Sequence, residues 1–333
     1  MLMLRAISYL LVAVVLSAAV PGCTVAKPRP LDERPEVNRF IKEMVQKHRF
    51  TRQELEEIFS KARIRPSIIA AISRPAESKP WYEYRPIFVT SSRISGGVAF
   101  WKKNADILER AQATYGVPPQ ILVAILGVET RYGQQKGGYP VIDSLSTLAF
   151  DYPPRSAFFK KELEQYLLMT REENIDPLKL VGSYAGAMGQ PQFISSSFRS
   201  YAVDFDGDGH RDLWDNAADA IGSVANYFKK HGWQAGEPIA SRADVKGKDY
   251  QKLVDAGLKP SFTPAQLRQA GVTFKGDPGP DAKGALIELK TDYGHEYWVG
   301  WQNFYVITRY NHSALYAMAV YQLSERIRQA RED

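Results

Sequence analysis

The run Ile121-Leu-Val-Ala-Ile-Leu-Gly-Val-Glu129-Thr-Arg-Tyr-Gly133 decides how the rest of the chain is read. Pro118 and Pro119 stand just before it and suit the first turn of a helix, where no N–H is needed. Gly133 is a natural stop. On a helix of about 100° per residue, with Ile121 at zero, Ile125 falls near about 40°, Leu126 near about 140° and Glu129 near about 80°. Glu129 therefore lies inside the apolar stripe, not opposite it. A carboxylate there is buried or stands at the rim of a cleft, and burial favours its protonated form over the ordinary pKa of about 4.3. Two readings stay open at this point. One is a general acid for glycosidic bond cleavage; the other is a structural glutamate paired with a core arginine.

Outward from this run the pattern is mostly helical. Helices are expected over 35–75, 96–115, 120–131, 155–172, 193–201, 218–231, 248–256 and 312–331. Thr51 and Glu54 offer a capping box, with Phe50 placed to staple onto Leu55, and Thr263-Pro264 opens another short helix. Pro75, Pro80 and Pro86 forbid a long helix over 75–92, which reads as an irregular loop rich in aromatics. Strand signals come only late, at 285–289, 296–299 and 304–308. The fold class is mainly α (α+β), with a small β-containing insertion after which the last helix returns to the core.

Composition narrows the function classes. The chain has 333 residues, of which 44% are hydrophobic and 24% charged, which excludes a disordered or multi-span membrane protein. A single cysteine excludes a disulfide scaffold and a cysteine-rich zinc site. The net charge of +6 is spread along the chain, so nucleic acid is not expected as a partner. The five histidines (48, 210, 231, 295 and 312) show no metal-ligand spacing, and no Gly-rich phosphate loop is present.

The one cysteine, Cys23, closes an apolar run that starts after Arg5 and is short for a membrane span. This segment resembles a bacterial lipoprotein signal, with lipid on Cys23. Ordinary secretory cleavage nearby is the plainer reading, and either implies export. Ala26-Lys27-Pro28-Arg29-Pro30 reads as a short tether.

Two further stretches carry chemistry. Gly182-Ser-Tyr-Ala-Gly-Ala-Met-Gly-Gln-Pro-Gln-Phe193 allows close backbone approach and offers the neutral hydrogen-bonding groups of Ser183, Gln190 and Gln192. It fits a sugar-reading turn, and equally a tight connection between helices. Asp204-Phe-Asp206-Gly-Asp208-Gly209-His210-Arg-Asp212-Leu-Trp-Asp215 resembles an EF-hand calcium loop. Asp204, Asp206 and Asp208 would be side-chain ligands, His210 would offer its carbonyl, and Asp215 stands where the usual Glu would be. A metal-free, Asx-rich turn is the plainer reading.

Taken together, the Gly-Val-Glu129-Thr run, Ala187-Met-Gly-Gln-Pro-Gln-Phe193, Pro80-Trp-Tyr-Glu-Tyr-Arg85 and Arg309-Tyr-Asn-His-Ser313 resemble the motifs of the membrane-bound lytic murein transglycosylase B family. The resemblance covers roughly residues 32–330. It implies a lysozyme-like catalytic core over 93–231, an N-terminal helical region over 35–92, a β-containing subdomain over 232–305 and a returning helix over 306–331. Ahead of these stand a leader over 1–22 and a tether over 23–34.

The implied reaction is cleavage of the β-1,4 bond between N-acetylmuramic acid and N-acetylglucosamine in peptidoglycan. It leaves a 1,6-anhydro-N-acetylmuramic acid end, with Glu129 as acid and then base and no catalytic cofactor. Implied sugar contacts are Tyr84, Arg155, Ser183, Gln192, Tyr227, Tyr310 and Asn311. Arg155 would meet a lactyl or peptide carboxylate. The family's last calcium ligand corresponds to Asp219, with Asp215 as the alternative, and the ion would be structural. The implied location is the periplasmic face of the outer membrane of a Gram-negative bacterium. Candidate protein partners are cell-wall synthases or amidases, none of which the sequence singles out.

Three other functions compete. A hydrolytic muramidase would need a second carboxylate, for which Asp143 is near enough in sequence to stand as a candidate. A non-catalytic peptidoglycan-binding lipoprotein would leave Glu129 without a task. A calcium-dependent structural protein would leave the remaining motifs unexplained.

Overall fold

The computed structural model describes residues 30–73 and 79–333. The leader, Cys23, most of the tether and Pro75 lie outside the described residues.

The chain opens with α1 (Pro35–His48), α2 (Arg52–Lys61) and α3 (Pro66–Ile72). On α1, Val37, Phe40, Ile41 and Met44 are buried, the spacing of one helix face turned to a core. The expected capping box of α2 is present: Glu54 N donates to Thr51 Oγ1 at 3.1 Å and Thr51 N to Glu54 Oε2 at 3.4 Å.

The segment expected as an irregular loop contains a short helix, α4 (Trp81–Phe88), with Pro86 inside it. Pro86 sits near the C-terminal end, where a missing N–H costs one helix bond and little more. Tertiary contacts make up for that loss. Trp81 is buried, Arg85 Nε donates to Gln322 Oε1 at 2.6 Å, and the Arg93 guanidinium donates to the Ile87 carbonyl.

Next come α5 (Ser91–Lys103), α6 (Ala105–Tyr115) and α7 (Pro119–Thr130). Every residue of α7 from Ile121 to Val128 is buried, so the expected stripe is a complete apolar jacket. A helix apolar on all sides is the central rod of a core. Among the described residues no single helix is long and apolar enough to cross a membrane.

The short strand β1 (Tyr139–Pro140) leads into α8 (Val141–Asp151), a helix the sequence reading missed. Most of α8 is buried, its polar Asp143, Ser144, Ser146 and Thr147 included, so its polar residues do not mark a solvent face. Then follow α9 (Ser156–Glu172), β2 (Val181–Gly182), α10 (Ser195–Tyr201) and α11 (Ala217–Lys230). β1 and β2 pair antiparallel.

The insertion holds β3 (Ala240–Val245), α12 (Gln251–Asp255), α13 (Pro264–Gln269), β4 (Val272–Phe274), β5 (Ala285–Thr291) and β6 (Gly294–Gly300). Its strands form an antiparallel sheet in the order β4-β3-β6-β5. Ala243, Leu253, Leu267, Val272, Leu286, Val299 and Trp301 give it a small core of its own.

The chain returns through α14 (Gln302–Tyr310) and α15 (Ala314–Glu332). The expected strand at 304–308 is therefore helical. Phe304, Val306, Ile307 and Thr308 are all buried, and a short apolar run buried on several sides does not distinguish strand from helix. The position of Tyr310 and Asn311 changes with it: they close a helix instead of following a strand. α15 packs along α7, α5 and α4.

Candidate active site

Glu129 sits in the last turn of α7. Immediately beyond it the chain breaks sharply, with Arg131 and Tyr132 at φ 49° and 60°. Thr130 fastens this break from both sides. Its hydroxyl donates to the Gln190 carbonyl at 2.8 Å and accepts from Gly133 N at 3.0 Å. The Tyr132 ring folds back over the helix, and its hydroxyl donates to the Arg93 carbonyl at 2.6 Å. Gly127 makes room for that ring: a Cβ there would stand 2.5 Å from the Tyr132 hydroxyl.

The Glu129 carboxyl has a partner that the sequence reading missed. Tyr316, in the first turn of α15, donates its hydroxyl to Glu129 Oε1 at 2.5 Å. Glu129 keeps some exposed surface, yet burial dominates at the carboxyl. It lifts the pKa from 4.5 to about 7, against the opposing pull of the Tyr316 hydrogen bond. Burial and the nearby Glu129 charge hold the Tyr316 and Tyr310 phenols well above their ordinary range. No sequence signal marks Tyr316, which reads as one more apolar helix position.

The stretch 182–193 packs against the end of α7 through the Thr130–Gln190 hydrogen bond. Ser183 N donates to Ala187 O at 2.8 Å, and Met188 and Phe193 exchange backbone bonds at 2.8 and 3.0 Å. Gly182 allows this turn, since a Cβ there would lie 2.3 Å from the Ala187 carbonyl. Ser183 Oγ accepts from Ala187 N at 3.0 Å, which fixes its position and leaves the hydroxyl proton to donate.

The expected sugar-contacting residues separate into groups. Arg155, Gln192, Tyr227, Tyr310 and Asn311 line one cavity of about 580 Å³. Two larger hollows, about 770 and 830 Å³, lie on the N-terminal helices and contain none of the expected site residues. Tyr310 joins the cavity to the Glu129–Tyr316 pair: its ring stacks parallel to that of Tyr316 at 6.5 Å. Its hydroxyl donates to the Pro191 carbonyl at 2.5 Å, and that of Tyr227 to the Arg309 carbonyl at 2.6 Å. Tyr84 packs on Phe88 at 5.1 Å and lies close enough to Tyr316 to act on its titration.

Gln190 is 6% exposed and bonded to the 213–214 backbone: its N donates to Leu213 O at 2.7 Å and its Nε2 to Trp214 O at 3.3 Å. That makes it a brace between two loops. The Gln192 amide donates to Lys136 O and Gly189 O.

Asp143, the candidate second carboxylate, is 3% exposed and committed elsewhere. It accepts from Arg63 N at 2.8 Å and from Arg65 Nε at 2.6 Å, joining α8 to the link between α2 and α3.

In the acidic loop, Asp204, Asp206 and Asp219 each bring a carboxylate oxygen within 4.8 Å of the others. Asp208 stands outside this group and accepts from His210 N at 2.9 Å. Asp215 turns away to Lys136 Nζ at 2.8 Å. Asp219 is fully buried and accepts from Phe205 N and Asp212 N, each at 2.7 Å. Burial, with Asp206 and Asp204 close by, raises its pKa. A buried carboxylate facing two others, all hard oxygen donors, is a donor set that suits a divalent cation such as calcium.

Residues 32–325 match a family model described as the transglycosylase SLT domain. The membrane-bound lytic murein transglycosylase B of Escherichia coli (strain K12) is 46% identical over 307 residues, which is 89% of this chain and 84% of its own. The crystal structure of soluble lytic transglycosylase SltB1 from Pseudomonas aeruginosa matches with a TM-score of 0.86 at 52% identity, covering 90% of this chain and 100% of that one. Escherichia coli lytic transglycosylase Slt35 in complex with calcium matches with a TM-score of 0.83 at 45% identity, covering 90% and 95%.

Proposed function

The chain belongs to the SLT-domain transglycosylases and is a lytic transglycosylase of peptidoglycan with a lysozyme-like core, and from that premise we propose that Glu129 performs both proton transfers. With a pKa near 7, a large fraction of Glu129 is protonated at neutral pH. The acid donates its proton to the glycosidic oxygen as the bond from the muramic C1 breaks. The resulting carboxylate then takes the proton of the muramic C6 hydroxyl as that oxygen closes on C1. The proton count returns to its start, and no water enters the product.

The observation that carries this reading is the Tyr316–Glu129 hydrogen bond of 2.5 Å. It occupies Oε1, leaving Oε2 to carry the proton, and it steadies the carboxylate formed between the two steps. Asp143 is held by Arg63 and Arg65, which removes the second carboxylate that a muramidase would use as base. Ser183, Gln192, Tyr310 and Asn311 would orient the sugar ring, with Gln190 and Thr130 bracing the wall behind Glu129.

The triad Asp204, Asp206 and Asp219 would hold a calcium ion, as the Slt35 structure in complex with calcium supports by analogy. The ion neutralises mutually repelling carboxylates and fixes the loop, with no part in the chemistry. The membrane-bound Escherichia coli relative supports a place in the cell envelope. Lipid on Cys23 would then tether the enzyme to the outer membrane, facing peptidoglycan.

Mass spectrometry of soluble products from purified peptidoglycan, with Glu129→Gln alongside, tests the assignment. Muropeptides ending in 1,6-anhydro-muramic acid are expected from the wild type and not from the variant. Reducing ends, heavier by one water, would overturn the mechanism.

A further inference from the structure

Asp219, the buried member of the acidic triad, is tied to the end of α7 that carries Glu129 by an unbroken run of hydrogen bonds. Its Oδ2 accepts from Asp212 N at 2.7 Å, and Asp212 Oδ1 accepts from Trp214 N at 2.8 Å. The carbonyl of Leu213 accepts from Gln190 N at 2.7 Å, and that of Trp214 from Gln190 Nε2 at 3.3 Å. The Gln190 carbonyl in turn accepts from the Thr130 hydroxyl at 2.8 Å, and Thr130 adjoins Glu129 in the last turn of α7. Thr130, Gln190, Leu213 and Trp214 are all buried, so a bond that stretched here would not be replaced cheaply by water. The two loops also touch backbone to backbone: a Cβ at Gly189 would stand 2.6 Å from the Leu213 carbonyl oxygen. A shift of 212–214 is therefore passed to Gln190 and not absorbed.

The acidic loop has a physical reason to adopt two arrangements. Asp204, Asp206 and Asp219 bring carboxylate oxygens within 4.8 Å of one another. Around a divalent ion they share one attracting centre; without it they repel. Asp219 is fully buried and cannot relieve that repulsion by turning to solvent. Relief must come from the backbone that Asp219 holds, which includes Asp212. We propose that calcium in this loop raises turnover from a distance, with Gln190 and Thr130 as positioning residues that pass the set of the loop to Glu129. The ion touches no reacting atom. The inference rests on the transglycosylase reading of Glu129 and the calcium reading of the acidic loop, and it joins the two.

The test compares the full chain in millimolar calcium and in chelator, well below the Tm of the calcium-free form. It takes two readouts: release of anhydro product from peptidoglycan, and backbone hydrogen exchange followed by mass spectrometry. For the wild type, calcium is expected to raise kcat about tenfold, with KM within about twofold. Calcium is also expected to slow exchange beyond the loop, at the Tyr132 and Gly133 amides that close the end of α7. Thr130→Val keeps the side-chain shape and removes the hydroxyl. Its kcat should stay at the calcium-free level in both conditions, while calcium still raises its Tm. Thr130→Ser restores the hydroxyl and should regain most of the calcium response. Three results would each overturn the coupling: protection confined to residues 204–219, a wild-type kcat indifferent to calcium, or a Thr130→Val that still responds. Anhydro product from the wild type in calcium tests the reaction reading by itself, and the wild-type rise in Tm tests the ion reading by itself. The exchange measurement needs no variant, so it decides the matter if Thr130→Val fails to fold.

Discussion

Replacing Glu129 by glutamine should stabilise the protein at neutral and alkaline pH while abolishing its chemistry. In the folded chain burial pushes the Glu129 pKa up to about 7 from an ordinary 4.5. The native state therefore holds this proton more tightly than the unfolded state does. Stability from this group is fully present below about 4.5 and is lost as the pH rises through about 7. Each pKa unit is worth about 1.4 kcal/mol, so at pH 8 the ionised Glu129 costs the fold at most about 3 kcal/mol. Glutamine keeps the shape, still accepts from the Tyr316 hydroxyl and never ionises. Glu129→Gln should thus gain at most about 3 kcal/mol at pH 8, which is roughly 6 °C in Tm for a chain of this length. The gain should shrink to nearly nothing at pH 4. Thermal melts of both proteins at pH 4, 5.5, 7 and 8 read this directly, because other titrations cancel in the difference. A difference in Tm that stays constant across the series would refute the buried-acid reasoning.

Three further outcomes are expected. Tyr316→Phe removes the bond that favours the ionised form of Glu129, so the basic limb of the kcat/KM pH profile should move upward from about 7, and kcat should fall about tenfold; an unchanged profile would mean that the hydrogen bond has no kinetic role. Millimolar calcium should raise the Tm of the wild type by a few degrees, with the response lost in Asp219→Asn and kept in Asp215→Asn, as calcium titrations followed by calorimetry would show. Gly127→Ala would drive a methyl group into the Tyr132 hydroxyl and should cost about 1–3 kcal/mol, measured by urea unfolding; a neutral result would mean that the ring moves aside freely.

Much of this architecture is legible in the sequence because local signals agree with tertiary demands. Thr51 and Glu54 cap α2 as their spacing requires, and Pro118-Pro119 and Gly133 bracket the helix that carries Glu129. The acidic loop is also visible, although its spacing alone does not tell Asp215 from Asp219. That distinction depends on Lys136, which draws Asp215 away. What escapes the sequence is governed by burial from several sides. In α8 and α14 polar residues such as Asp143, Ser144, Thr147, Asn303 and Thr308 are buried together with the apolar ones, so polarity along the sequence does not mark which side of either helix faces the core. Gln190 offers the same amide whether it reads a sugar or braces a loop, and only its position against Leu213 and Trp214 decides. Tyr316 is hidden for another reason: its significance lies in a partner 187 residues away.

That separation has a bearing on when the protein becomes dangerous to its own cell. Glu129 lies in the first half of the chain, while Tyr316 arrives on the final helix, after the whole β-containing insertion. A chain emerging N-terminus first into the envelope exposes its glutamate long before the tyrosine and the returning wall of the cleft exist. The Glu129–Tyr316 pair can therefore form only once α15 docks along α7. A copy cut before Ala314 lacks both Tyr316 and the helix that packs along α7, and it is expected to release no anhydro product from peptidoglycan when assayed beside the full chain.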